Sequence, residues 1–533
     1  MKVGAYLGNQ AHAPANSWTA LISAYTGGAS VLHFATRLTA DRRIVLAQAD
    51  DVAAATGTEG RIGAMSLAAL RQLDFSQRFT PRGSASGDFN YFDPTVEGRP
   101  FALDALDEIV SELPRDVDWL IEIRPEDAAD AVAELLRSRG ALSRSVLALE
   151  TKAAIARCKT RFPTVRTALV LPAEQPLPDT APAGCEVLVV PVERFWRDGG
   201  WTSDAQRFCQ RQGNSYFPLG AQLASAATEY PGMLAAAKSA GWVWGVCLGS
   251  TFDFAALRPS FVHVDESFAG TAVDRTRFAL GYAKANGFAT VTWNDGIHIA
   301  IAPYTGELPR SSGDGIERRL SRIEWDLIDV ARQWPFYSGG GVGLVAGIAD
   351  DFAAEVSYRV KEVGQATTLE MAVLNVDPGA HRGAPPASFR DKDSFYDPHG
   401  APPYVGVEHD EDDGFRINWN LGSEYDNNQY GRPVGDGRTA RGAEIRLERR
   451  GAYFAAYYRN PVDADGDVLH PRDWVCVGVA RNDTLNRTLY LRCVGKRWRQ
   501  EKADDPSQYE PILANEFTFR NLRVTCFPPI DGE

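Results

Sequence analysis

Within the first quarter of the chain, His12, His33, Asp50, Asp51 and Glu122 carry side chains able to move protons or hold a hard cation, and Arg124 stands two residues beyond the last. Gathered at one rim, where strand ends carry catalysis in barrel folds, these groups would suit acid–base or metal-assisted chemistry. A divalent metal held by several oxygen ligands could carry it, or proton transfer by an imidazole near its working pKa. A plainer reading uses the same residues: His33 packs within a strand, Asp50 and Asp51 sit in a solvated loop, and Glu122 pairs with Arg124 or other neighbours.

Two aromatic groups suggest recognition rather than catalysis. The stretch "ERFWRDGGWTSDAQRFCQRQGNSYFPLG", residues 193–220, reads as a long insertion between two strands and carries Phe195, Trp196, Trp201, Tyr216 and Phe217. Such rings can stack on sugar faces or anchor the loop to its scaffold, and a loop of this length is characteristically functional or orders a subunit contact. "NWNLGSEYDNNQYGRP", residues 418–433, mixes Trp419, Tyr425 and Tyr430 with amides, as carbohydrate sites and long surface loops both do. The acidic loop "EHDEDDGF", residues 408–415, lacks EF-hand spacing, so it reads either as a calcium-donating loop or as a solvated turn. No other cofactor is expected.

The elements that must position these residues fall into two textures. From residue 1 to 302, strand patterns ("KVGAYLG", "SVLHFAT", "RIVLAQ", "DWLIEIRP", "RTALVL", "EVLVVPV", "WVWGVCLG", "SFVHVD", "ATVTWND") alternate with helical ones such as "EDAADAVAELLRSR" and "DRTRFALGYAKANG". That alternation predicts an α/β domain with a parallel sheet closed into a TIM-type (β/α)8 barrel. Residues 303–341 read as a connector: Ile316, Leu320, Ile323, Leu327 and Ile328 recur at helical spacing, and "SGGGVG" reads as a flexible stop. From 342 to 533, runs such as "FAAEVSYRV" and "NEFTFRNLRVT" alternate apolar and polar residues between turn clusters, which predicts an all-β jelly-roll sandwich.

The order of short motifs over residues 1–296 resembles the glycerophosphodiester phosphodiesterase family, a (β/α)8 barrel using a divalent metal and two histidines. "HFATRLTADRRIVLAQADDVAAATGTEGRIGAMSLAALRQLDF", residues 33–75, keeps the family's spacing from its Glu-x-Asp strand through its His-Asp strand and the following glycine turn. The resemblance implies that Tyr6 and Leu7 replace the first His and its Arg neighbour. His33 and Ala35 replace the Glu and Asp ligands, and Gln48 and Ala49 replace His-Asp. Glu122 in "IEIR" keeps its type, with Arg124 where the family has Lys, and Trp293 fits a late Gly-x-x-Val-x-x-Trp-Thr strand. One retained carboxylate cannot hold a metal, Gln48 has no titratable group, and a tyrosine titrates too high for the proton transfer. The expectation is therefore a barrel whose ancestral reaction is lost, with no catalytic residue and no metal. The segment from 342 resembles concanavalin-like or laminin-G-like modules, which host lectins, hydrolases and inert spacers alike.

At 533 residues the chain exceeds a single core, and 44% apolar with 10% aromatic residues predicts that both parts fold. A net charge of −13 without a basic stripe excludes a nucleic-acid partner. Seven cysteines without a CxxC pair predict reduced, mostly buried thiols. No apolar run is long enough to span a membrane, and Met1 leads into a strand pattern without a basic leader, which predicts synthesis in a host cytoplasm without a signal peptide. An inactive barrel joined to a lectin-like sandwich resembles a bacteriophage minor tail protein. Its expected location is the virion, with other tail proteins and a host envelope glycan as partners, in several copies and with no membrane insertion. The binding residues expected are Glu122, Arg124, Trp196, Trp201, Trp419, Tyr425 and Tyr430. Two alternatives stand: an active phosphodiesterase or glycan-cleaving enzyme acting on envelope polymers, and a cytoplasmic bacterial protein with an accessory sandwich.

Overall fold

Short apolar strands alternating with helices can bury both faces only if the strands lie parallel beneath the helices. In the computed structural model of the protein they do. Apart from scattered single positions, the structure describes residues 2–84, 101–172, 183–194, 196–204, 215–219, 245–248, 258–282, 289–303, 337–362, 367–375, 403–410, 414–421, 428–431, 437–470, 473–498 and 513–528. The chain forms two units, 1–258 and 259–532.

The first unit contains β1 (Lys2–Ala5), β2 (Val31–Leu38), β3 (Ile44–Leu46), β4 (Asp118–Ile123), β5 (Ser145–Leu149), β6 (Arg166–Val170) and β7 (Val187–Pro191). A two-stranded hairpin, β8 (Trp196–Arg197) and β9 (Gly200–Trp201), precedes β10 (Ser215–Leu219) and β11 (Gly245–Leu248). The order β1-β2-β4-β5-β6-β7-β10-β11 is parallel throughout, and β11 pairs back onto β1. The sheet therefore closes into an eight-stranded parallel barrel, with β3 an antiparallel appendage on β2. Period-two alternation sends Leu120, Val146, Ala148, Ala168, Val187 and Cys247 into the barrel interior, where they pack with Tyr6 and Val31. Gly4 is small of necessity: a Cβ there would meet Cys247 Sγ at 2.6 Å and the Val31 carbonyl at 2.7 Å. Ser17 and Thr151 cap the helices Trp18–Thr26 and Lys152–Arg161 by accepting the amides of Ala20 and Ala154.

The barrel is complete by Leu248, earlier than its expected end at 302. Its seventh strand, β10, lies inside the segment read as an insertion; Pro218 lowers the strand signal of "SYFPL". "SFVHVD" and "ATVTWND", expected in the barrel, belong instead to the second unit as β12 (Phe261–Glu266) and β14 (Ala289–Trp293). Between them, β13 (Phe278–Tyr282) occupies part of the expected helix 274–287. β15 (Ile297–Ile301) follows in a hairpin with β14. Apolar runs announce a strand but not its partner, and here β12 and the β14–β15 hairpin join the sheet through β26, more than 200 residues downstream.

The second unit continues with β16 (Tyr337–Leu344), β17 (Asp351–Val360), β18 (Thr367–Leu374), β19 (Tyr404–Asp410), β20 (Gly414–Asn420) and β21 (Asn428–Tyr430). β22 (Gly442–Arg450), β23 (Tyr453–Val462), β24 (Val475–Arg481), β25 (Tyr490–Trp498) and β26 (Asn515–Phe527) complete it. Two antiparallel sheets result: β14-β15-β26-β17-β22-β23-β24 with β12 also on β26, and β13-β16-β25-β18-β19-β20-β21. Their inner faces meet: Tyr358 of the first bonds His409 of the second at 2.6 Å, and Phe415 stacks on Tyr458 at 4.1 Å. The helical part of the expected connector lies outside the described residues. Its glycine run is not a flexible stop, because it forms β16 and pairs with β25 from Tyr337 to Gly343. Glycine is required there by close approach: a Cβ on Gly341 would lie 2.2 Å from the Cys493 carbonyl. Residues 408–410 of the expected acidic loop are likewise the buried end of β19.

Candidate functional site

The adjoining strands β1, β2 and β4 bring together the positions at which the family resemblance places its chemistry. Tyr6 leaves β1 and stacks on His33 of β2, with ring centroids 4.9 Å apart and planes at 15°. His33 is fully buried. Its Nδ1 accepts the Leu7 amide at 2.9 Å, so its proton sits on Nε2, which donates to Glu122 Oε1 at 3.0 Å. The other oxygen, Glu122 Oε2, accepts from Arg124 Nη2 at 3.0 Å, and Arg124 Nε also faces Glu150 Oε1 at 3.5 Å. Gln48 Nε2 donates to the Tyr6 hydroxyl, and Arg37 fixes the Gln48 carbonyl with bonds of 3.0 and 2.8 Å.

Burial pushes the Tyr6 phenol up to about 12, and the nearby Glu122 carboxylate adds to it, so Tyr6 is a neutral phenol at physiological pH. Burial also opposes ionisation of Glu122, but His33 and Arg124 outweigh it and hold the carboxyl below its ordinary range. The network is thus an ionised carboxylate saturated by two donors, beside an imidazole with both nitrogens engaged. Among the described residues no group of three or more His, Cys, Asp or Glu is placed to hold a metal ion. The divalent metal that the family resemblance implies does not fit this donor set.

The remaining candidates are dispersed. His12 is buried, Asp50 pairs with Arg61 at 2.6 Å, and Asp51 accepts the Ala53 amide at 2.9 Å. Trp196 and Trp201 face one another across the β8–β9 hairpin, edge to face at 4.7 Å. Trp419 sits half-buried in β20, opposite Val405 and Gln429. Tyr425 lies outside the described residues, and Tyr430 ends β21. Of the acidic segment, Glu408 bonds Arg416 and Asn418, each at 3.0 Å, and Asp410 accepts from Thr368 at 2.8 Å.

Three participants were not among the predicted residues. Arg37 and Glu150 are described above; Asn16, at φ +59, closes two 2.8 Å bonds with the Ala35 backbone. An Asn directly before the helix-capping Ser17 was the available signal. Beside the network lies a pocket of about 200 Å³, lined among others by Leu7, Gln48, Phe75 and Phe101. Among the described residues its charged lining is Asp51 and Asp104, with no Lys, Arg or His.

The fold of this unit is that of a (β/α)8 barrel, and residues 8–162 match the model of the glycerophosphoryl diester phosphodiesterase family. No protein of curated function matches the chain. Among solved structures, the chain is similar to a glycerophosphodiester phosphodiesterase from Agrobacterium tumefaciens str. C58, at 19% identity over 48% of this chain and 99% of that one, with a TM-score of 0.35. The enzyme from Thermotoga maritima is similar at 17% identity over 48% and 98%, with a TM-score of 0.35. An Oleispira antarctica phosphodiesterase in complex with the product sn-glycerol-3-phosphate is similar at 16% identity over 48% and 96%, with a TM-score of 0.36.

Proposed function

We propose that the protein is a non-hydrolytic binding protein, in which a phosphodiesterase-like barrel serves as scaffold and a concanavalin-like two-sheet unit contacts a ligand. The mutual saturation of Tyr6, His33, Gln48 and Glu122 carries this reading, because each group a phosphodiesterase would turn toward substrate is turned toward another side chain. The adjoining pocket supports it: a phosphodiester anion entering there would meet Asp51 and Asp104, with no cation among the described lining residues.

The setting proposed is a bacteriophage tail, where several copies attach to a host envelope glycan and effective concentration multiplies modest affinities by roughly 10²–10⁴. Two experiments test the proposal. Purified full-length protein is expected to hydrolyse neither glycerophosphocholine nor a chromogenic phosphodiester above background with Mg²⁺, Ca²⁺ or Mn²⁺. Metal-dependent turnover abolished by Glu122→Ala would overturn the first half. Beads displaying the full chain are expected to label intact host cells and not cells stripped of surface polysaccharide; equal labelling of both, or none, would overturn the second.

A further inference from the structure

The sheet containing β17 carries a second cavity, about 500 Å³ in volume, on the face turned away from its partner sheet. Alternation along β17 buries Tyr358 and Val360, which turns Ser357 and Arg359 outward. The register sets Ser357 between Arg520 of β26 and Glu444 of β22, and Arg359 between Thr518 and Gly442. Gly442 has no side chain to fill the floor, and Val462 and Val468 complete an apolar wall. Register shifts in β26 and in the β22–β23 pair flank the cavity. Beside them Asn521 and Asn460 adopt φ of +55 and +47, so their amides turn into the rim, where they bond Ser357 Oγ at 3.2 Å and Glu444 Oε1 at 3.1 Å.

The charges here are unbalanced. Glu444 is neutralised by Arg459 at 2.6 Å, and on the same sheet Arg446 pairs with both Glu355 and Glu448. Arg359 and Arg520 differ: among the described residues, neither guanidinium has a hydrogen-bond or ion-pair partner. They stand diagonally on adjacent strands, about 7–8 Å apart, a spacing that one ligand group can bridge with two long side chains. A Cβ on Gly466 would lie 1.2 Å from Arg359 Nη2, so glycine at φ +93 leaves the space that guanidinium occupies. Two fork-shaped cations with no ion-pair partner among the described residues, beside a Glu444 carboxylate already bonded to Arg459, suit an oxyanion. The hydroxyls of Ser357 and Thr518, held by the Arg520 carbonyl at 2.9 Å and by His298 Nδ1 at 3.2 Å, keep lone pairs that, with the second N–H of each amide, suit a polyhydroxylated body.

We propose that this cavity binds an acidic saccharide, its carboxylate or phosphate held between Arg359 and Arg520 and its hydroxyls met by Ser357, Thr518, Asn460 and Asn521. The inference deepens the attachment reading above by naming the ligand class and the face that takes it.

Calorimetric titration of the full chain with trigalacturonate, glucose 6-phosphate and maltotriose tests it. At least one charged ligand is expected to bind, which identifies the oxyanion source, and to bind at least tenfold more tightly than maltotriose. Arg359→Gln or Arg520→Gln is expected to weaken that binding at least tenfold with an unchanged melting temperature, and Arg359→Lys, which keeps the charge but not the fork, by less. Lys361→Gln removes a charge from the end of the same strand and is expected to change nothing. Binding of maltotriose as strong as of the charged ligands, no binding of either charged ligand, or equal weakening by Lys361→Gln would overturn the proposal. The two readings separate on cells. Labelling that survives in the Arg359→Gln, Arg520→Gln double variant removes the cavity's role and leaves attachment standing. Acidic-ligand binding without labelling removes attachment and leaves the cavity.

Discussion

Replacing Glu122 by glutamine tests whether the saturated network holds the barrel together. The carboxylate is 2% exposed and accepts one bond from His33 and one from Arg124. A hydrogen bond to a buried charged group contributes about 1.5–3 kcal/mol. Arg124 is 31% exposed, so its share falls to the surface range of about 0–1 kcal/mol. The glutamine keeps an acceptor for His33 at the lower strength of a neutral pair, and one orientation of its amide sets donor against donor at Arg124. Glu122→Gln is therefore expected to cost about 1–3 kcal/mol. Hydrogen exchange on the full chain reads this as a fall of about five- to 150-fold at pH 7 in the protection of amides in Val31–Leu38 and Asp118–Ile123. The folded barrel holds the Glu122 carboxyl below its ordinary value, so the stabilisation is complete above the unfolded pKa and is lost as pH falls through the folded one. Wild type and variant should converge in acid. Equal protection at pH 7, or a gap that persists in acid, would refute the reasoning.

The second unit carries its own acid sensitivity. Burial depresses the His409 imidazole to about 4 against the opposing pull of its bond to the Gly437 carbonyl. The unfolded chain takes up a proton near pH 6.5 that the folded one refuses until about 4, so stability falls as pH drops through that window, by up to roughly 3 kcal/mol. Melting scans of wild type and His409→Gln between pH 4 and 7 should show the slope only in wild type; parallel curves would count against it. Gly341→Ala must push β16 away from the Cys493 carbonyl, and a loss of the cooperative transition of the second unit is expected, whereas an unchanged melt would mean that the strands separate at little cost.

What the sequence disclosed and what it withheld follow from the range of the forces involved. The barrel was legible because each strand-helix unit is local and its apolar period appears within a dozen residues. The convergence of Tyr6, His33, Gln48 and Glu122 was legible only through family spacing, since no local pattern says that four strand ends meet. Their bonding was less so: the donation of His33 to Glu122 depends on the Leu7 amide choosing the tautomer. The end of the barrel was misplaced because Pro218 obscured β10, while β12 and β14 look like any other apolar strand. The glycine run 339–341 reads as a linker until β25 lies beside it. The arginine cavity was invisible, because Arg359 and Arg520 are 161 positions apart in the chain and gain meaning only when β17 and β26 pair.

β26 has a consequence for how the molecule is made. This one strand, ending at Phe527, pairs along one side with β17 and along the other with β15 and then β12. During synthesis the barrel has all its strands once residue 248 has left the ribosome, and it can fold while the rest of the chain is still being made. β12, β15 and β17 emerge with no partner for the edges that β26 will fill, and more than 150 residues must be added before it arrives. Until then those edges are open to pairing with neighbouring nascent chains. The yield of native protein should therefore depend on how fast translation covers that interval, and on chaperones that shield strand edges while it lasts.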